Sequence, residues 1–93
     1  MRFEWDEEKN RRNKLKHGIS FQTAAVVFDD PFRKTEDDIV VNGEQRLRTI
    51  GMLKSLTIAL VIHLTEDEDG EEIIRIISAR KAAPHERRGY PAV

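Results

Sequence analysis

Arginine, histidine, glutamate and tyrosine supply the reactive side chains of this sequence, and cysteine is absent. Without cysteine there is no disulfide framework and no thiolate nucleophile. The three histidines, His17, His63 and His85, stand too far apart for zinc-ligand spacing, so no metal site is expected. A glycine-rich phosphate loop, a serine elbow and an HExxH pair are also missing, and no cofactor is expected. The remaining side chains suit metal-free RNA cleavage, in which a 2′-hydroxyl attacks the adjacent phosphate. That reaction needs a base near the hydroxyl, an acid near the leaving 5′-oxygen, and cations where charge builds on the phosphoryl oxygens. Arginine suits the last task because its planar fork pairs with phosphate in two places. Dependence on a 2′-hydroxyl would select RNA over DNA.

The candidates gather in the stretch RIISARKAAPHERRGY, from Arg75 to Tyr90. Arg80 ends a predicted strand beside a basic tail and is read as a phosphate ligand. Arg46 and Arg75 have two readings, phosphate binding or pairing with carboxylates across the sheet, and Glu44 is the carboxylate nearest Arg46 in sequence. His63 has an ordinary pKa close to neutrality, which fits proton transfer, although a strand histidine also serves purely structural ends. His85 and Glu86 fit proton transfer or simple helix surface. Tyr90 stacks on a base or assists proton transfer, or else anchors a terminal helix with its ring. The expected catalytic set is therefore Arg80, Arg46, Arg75, His63, Glu86 and Tyr90, with Arg48, Lys81 and Arg87 as RNA-binding residues.

Alternating apolar residues and turn signals define the elements that must hold these groups. Arg2 to Trp5 reads as a short strand. Asp6 caps a helix with an acidic first turn and a basic last turn, ended by Gly18. Ser20 caps a second helix whose Phe21, Ala24, Ala25 and Phe28 share one apolar face, stopped by Asp29-Asp30-Pro31. A short strand over Asp38 to Val41 joins the next through the Asn42-Gly43 turn. Strands follow at Arg46 to Leu53, Thr57 to Thr65 and Glu72 to Ala79, with short connections that imply antiparallel neighbours. In the middle strand Ile58, Leu60, Ile62 and Leu64 are expected to face the core. Ala59, Val61, His63 and Thr65 are expected on a half-polar, partly open face, with Arg48 and Arg75 beside His63. After Arg80 comes a turn and a short terminal helix with Pro84 in its first turn. The fold class is α+β: a short N-terminal strand and two helices packed on an antiparallel sheet of three to four strands, with a short C-terminal helix.

Ninety-three residues are expected to form one domain, residues 1–93, with a small core. The apolar run from Leu56 to Leu64 is too short to cross a bilayer and the start MRFEWDEEKN lacks a signal-peptide core, so a cytoplasmic protein is expected. Sixteen bases face seventeen acids, but six of those acids crowd into Glu66 to Glu72. Outside that segment cations outnumber acids, which leaves room for a basic face toward a phosphate backbone as well as for an ordinary solvated surface.

The N-terminal FEWDEEKNRRNKLKHGISFQTAAVVFDDP, the central GEQRLRTIG and the C-terminal RIISARKAAPHERRGY, in this order and spacing, resemble the BrnT family of bacterial type II toxins from Phe3 to Tyr90. The family motifs fall on Lys9, His17, Gly43, Glu44, Arg46, Ser78, Ala79, Arg80, Glu86, Arg87 and Tyr90. The resemblance implies a RelE-like fold, a ribonuclease that inhibits translation, and neutralisation by a BrnA-type ribbon-helix-helix antitoxin. It further implies a heterotetramer of two toxins and two antitoxins that represses its own operon, touching operator DNA only through the complex. The alternative is a non-catalytic protein-binding subunit of a DNA-binding regulatory complex. A stand-alone DNA-binding protein fits less well, because no groove-entering motif is visible.

Overall fold

The computed structural model describes residues 1–91. Strand β1 (Arg2–Glu4) leads to Asp6, whose extended backbone and carboxylate, accepting the Lys9 amide at 3.1 Å, start helix α1 (Glu7–His17). Gly18 closes it in the left-handed region at φ 76°, with its amide on the Lys14 carbonyl. Ser20 caps α2 (Phe21–Ala24) by accepting the Thr23 amide, and the chain then tightens into a 3-10 turn over Ala25–Asp29. The second helix is thus shorter than its sequence suggests. Its apolar face survives the change, since Phe21, Ala24, Val27 and Phe28 are all buried.

Four longer strands follow: β2 (Lys34–Val41), β3 (Glu44–Met52), β4 (Ile58–Glu68) and β5 (Glu71–Lys81), and then the single-turn helix α3 (Pro84–Arg87). The sheet runs β1-β5-β4-β3-β2, with β1 parallel to β5 and every other pair antiparallel. The expected N-terminal strand therefore joins the sheet as its fifth member. Asn42-Gly43 and Asp69-Gly70 both take positive φ at both positions, the two-residue turn whose twist matches a hairpin. Strand β2 starts at Lys34 rather than Asp38. Its first residues are polar because an edge strand has only one neighbour, and charge on that edge discourages further pairing. No helix among the described residues is long and apolar enough to cross a membrane.

The two sheet faces are the reverse of the sequence expectation. Ala59 and Val61 lie in the larger core beneath the helices, with Phe21, Val27, Phe28, Leu53, Ile74 and Ile76. Ile58 and Leu60 point to the second face, where Ile50, Ala82 and Tyr90 cover them. Alternation identifies two sets of residues but does not say which set the helices cover. His63 lies on the helix face and is 2% exposed, so it does not sit on an open surface beside Arg48 and Arg75. Its Nε2 meets the Thr49 hydroxyl at 2.8 Å and its Nδ1 the Thr65 hydroxyl at 3.2 Å, while Thr49 meets Thr35 at 2.7 Å. The Phe28 ring stands edge-on to the imidazole at 5.0 Å. These contacts tie β2, β3 and β4 together on the side away from the solvent-facing arginines.

Helix α1 has almost no apolar face to bury, and Leu15 is 76% exposed. Two buried asparagines dock it instead. Asn13 donates to the carbonyls of Ile19 and Ala79, both at 2.8 Å, and accepts the Ala79 amide at 3.1 Å. Asn10 accepts the Phe21 amide at 2.8 Å and donates to Glu7 and Gln22. Trp5 adds an edge-on contact to Phe21 at 6.2 Å.

Replacing Asn13 by alanine strands two buried backbone groups of Ala79, and urea denaturation is expected to show a loss of about 2–4 kcal/mol. A second expectation concerns His63, whose burial holds its pKa below the ordinary 6.5. The unfolded chain then takes up a proton that the folded chain refuses. Stability is complete above about pH 6.5 and falls as pH drops from there through the lowered folded pKa. His63→Gln should flatten that part of the stability curve, as measured by thermal melts across mildly acidic pH.

Candidate active site

Arg75 and Arg80 stand five residues apart on β5, so strict alternation would send them to opposite faces. Ile62 pairs with Ser78, but the next residue of β4, His63, pairs with Ile76, which leaves Ile77 as an extra residue in β5. After this bulge the parity reverses. Arg75 lies opposite Leu64 and Arg80 opposite Leu60, both on the second face. Arg48 lies opposite Ile62, Glu36 opposite Arg48 and Lys34 opposite Ile50, and alternation along β3 adds Arg46. One sheet face thus gathers Arg46, Arg48, Arg75, Arg80 and Lys34.

The C-terminal segment crosses this face. Ala82 and Tyr90 pack on Ile50, Ile58 and Leu60. The Tyr90 hydroxyl donates to the Asp30 carboxylate, which also accepts the amides of Phe32 and Met52 at 2.8 Å each. Burial, aided by that carboxylate, pushes the Tyr90 phenol up to about 12. The turn bearing Asp30 reaches β3 because Gly51 has no side chain. A Cβ there would lie 2.8 Å from Val27 Cγ1 and 3.4 Å from an Asp30 oxygen.

Between α3 and strands β2 to β4 runs a groove of about 180 Å³, lined by Lys34, Glu36, Arg48, Ile50, Leu60, His85, Glu86 and Gly89. Its two carboxylates are held very differently. Glu86, with a side chain 11% exposed, takes both Arg80 nitrogens at 2.8 and 3.0 Å and the Ala83 amide at 2.7 Å. The Arg80 hydrogen bonds outweigh burial and hold the Glu86 carboxyl down at about 2. A two-pronged pair whose carboxylate is shielded from water is hard to exchange. Glu36 meets Arg48 at 3.2 Å and Lys34 at 3.5 Å through side chains roughly half in water. Exposed pairs contribute about 0–1 kcal/mol each, so an incoming anion displaces Glu36 from Arg48 at small cost.

The expected residues are therefore only partly brought together. Arg48 and Glu86 line the groove, and Arg80 touches it through Glu86. Arg46 shares the face without lining the groove, and among the described residues no carboxylate, Glu44 included, forms an ion pair with it. Arg75 pairs with Glu4 at 3.7 Å, the carboxylate partnership that its sequence position left open. Lys81 lies opposite Ala59 on the helix side, and Arg87 is exposed on α3. Tyr90 is buried beneath the segment as an anchor, and His63 lies across the sheet. Sequence reasoning missed Lys34 and Glu36. Their signal was the Asn42-Gly43 turn, from which register can be counted back along β2, but the count fails at the irregularity between Asp37 and Val40.

The architecture is α+β, a five-stranded sheet with α1 and α2 on one face and a cation-lined groove beneath α3 on the other. The family model for the ribonuclease toxin BrnT of type II toxin-antitoxin systems matches residues 5–86, and the chain belongs to that family. The crystal structure of the Brucella abortus ribonuclease toxin BrnT is similar at 30% identity and a TM-score of 0.62, over 89% of this chain and 97% of that one. No match was found among curated proteins. The fold expected from the motif order is thereby established, and membership of a type II system implies an antitoxin partner.

Tyr90 is the chain's single tyrosine, which makes its environment directly measurable. Ultraviolet titration should find the phenol ionising near 12, and Asp30→Asn should bring it down toward the ordinary 10.0. Tyr90→Phe should cost about 1.5–3 kcal/mol, the range for a hydrogen bond to a charged group.

Proposed function

We propose that this toxin is a metal-independent endoribonuclease whose cleavage site is the groove between β2–β4 and α3. One observation carries the reading: Lys34, Arg48 and the His85 imidazole converge on a single small groove, on the face that also bears Arg46 and Arg80. A phosphate entering the groove takes Arg48 from Glu36 and is held in two places by its fork. Arg46, two residues along β3, continues the cationic track for the next phosphate, with Arg75 and Arg87 at its margins.

His85 moves the proton. It takes the proton from the 2′-hydroxyl or gives one to the leaving 5′-oxygen, with water exchanging the other, while Arg48 stabilises charge on the phosphoryl oxygens. As the 2′-oxygen bonds to phosphorus, the bond to the 5′-oxygen breaks, giving a 2′,3′-cyclic phosphate and a 5′-hydroxyl. Glu86 is ill suited as the base, because its low pKa gives little driving force and its oxygens are already engaged. It and Arg80 instead fix α3 and hence His85, with Tyr90 as the anchor.

In the cell such cleavage acts on cytoplasmic RNA and inhibits translation. A BrnA-type antitoxin with a ribbon-helix-helix part neutralises the toxin, in a heterotetramer that represses its own operon. The six acids between Glu66 and Glu72 disfavour direct DNA contact, which supports operator binding through the antitoxin alone.

Toxin freed of its antitoxin is expected to cut labelled RNA in the presence of EDTA and to leave 2′,3′-cyclic phosphate ends. Arg48→Ala should slow cleavage roughly a hundredfold, and His85→Ala by about 10²–10⁴. Cleavage that stops in EDTA and returns with magnesium, or folded variants that cut at the parental rate, would remove the basis of this reading.

A further inference from the structure

The groove has features that a phosphate clamp does not require. Its floor is apolar, made by Ile50 and Leu60, which are 8% and 5% exposed. A volume of about 180 Å³ is below the roughly 300–1,000 Å³ of clefts that take drug-sized ligands, so it suits one ring system rather than a length of chain. Above the floor a carboxylate stands between two cations, with Lys34 on one oxygen of Glu36 and Arg48 on the other. We propose that this groove is a guanine subsite in which Glu36 reads the base.

The argument rests on the ribonuclease reading above and on the hydrogen-bonding edges of the four bases. On its Watson–Crick edge guanine offers the O6 acceptor followed by two adjacent donors, N1–H and the N2 amine. A carboxylate accepts both donors side by side, and a neighbouring ammonium donates to O6. Adenine and cytosine each present one amine next to a ring-nitrogen acceptor, which faces the second carboxylate oxygen unfavourably. Uracil places its one N–H between two carbonyls. Only guanine therefore satisfies both Glu36 oxygens together with Lys34.

The same contacts explain why the free protein keeps Glu36 on Arg48. When a guanylate enters, its phosphate engages Arg48, and the Glu36 oxygen released meets the base. The exchange replaces an exposed ion pair with two charge-assisted contacts, while the ring covers Ile50 and Leu60. Unpaired RNA is the substrate class, because a base inside a helix has this edge occupied.

The test measures binding of 3′-GMP, 3′-AMP, 3′-CMP and 3′-UMP to the full chain by calorimetry or NMR, alongside mapping of cleavage positions on a mixed-sequence single strand. Binding of 3′-GMP is expected to be roughly ten- to a hundredfold tighter than that of the others, the discrimination of a good two-point base contact. Cuts should fall beside guanines. Glu36→Gln, at an exposed position where folding is little affected, should erase the preference while 3′-nucleotides still bind through the phosphate. Equal affinities, no binding of any nucleotide, or a preference that survives Glu36→Gln would each overturn the assignment. The two readings fail separately: guanine-selective binding without RNA cleavage would sink the ribonuclease reading and leave the subsite. Cleavage without base preference would do the reverse.

Discussion

One inserted residue, Ile77 in β5, governs where the charges of this protein go. Ahead of it the even-numbered residues Ile74 and Ile76 enter the core; beyond it the odd-numbered Ala79 does so, against Val61. A strand serving two apolar surfaces in this way keeps its helix-side packing intact along its whole length. It also turns Arg75 and Arg80 to the same side. Without the bulge, one of these cations would be forced under the helices, where an unpaired charge is prohibitively costly.

The pairing of charges on the second face then divides rigid from exchangeable parts. Arg80 and Glu86 form a two-point pair with a shielded carboxylate, which also secures the first turn of α3 through the Ala83 amide. Asp30, Tyr90 and the close approach permitted by Gly51 pin the far end of the same segment. The α3 segment is thus fixed at both ends, and His85 lies between the fixing points. Across the groove, Glu36, Lys34 and Arg48 are held only by water-exposed contacts and are free to change partners. On the opposite face the Thr35, Thr49 and His63 hydrogen bonds hold the strand that carries Lys34 and Glu36 in register.

Much of this fold was legible in the residues themselves. Helix starts at Asp6 and Ser20, the stop at Gly18 and the Asn42-Gly43 hairpin each have a local chemical cause, and each appears where the sequence puts it. The order of motifs carried the family. What stayed hidden depends on relations between distant residues. Alternation in β4 gave the right two sets of side chains but not the set beneath the helices, and so His63 was assigned to an open face. The bulge at Ile77 leaves no composition signal, which made the common face of Arg75 and Arg80 invisible. Lys34 and Glu36 lie in a polar edge segment that looks like loop until its neighbour is known. The Tyr90 ring has two readings in the sequence, and the partner that holds it, Asp30, is sixty residues away.

The position of β1 has a consequence for how the chain is made. Among the described residues its sole neighbour in the sheet is β5, and α1 is fastened to Ala79 by Asn13 rather than by an apolar stripe. An isolated helix of eleven residues is marginal in water. The first elements to leave the ribosome can therefore meet α2 early but have no sheet to join until β5 has been synthesised. Docking of the N-terminal segment on the sheet is thus deferred until β5 has left the ribosome.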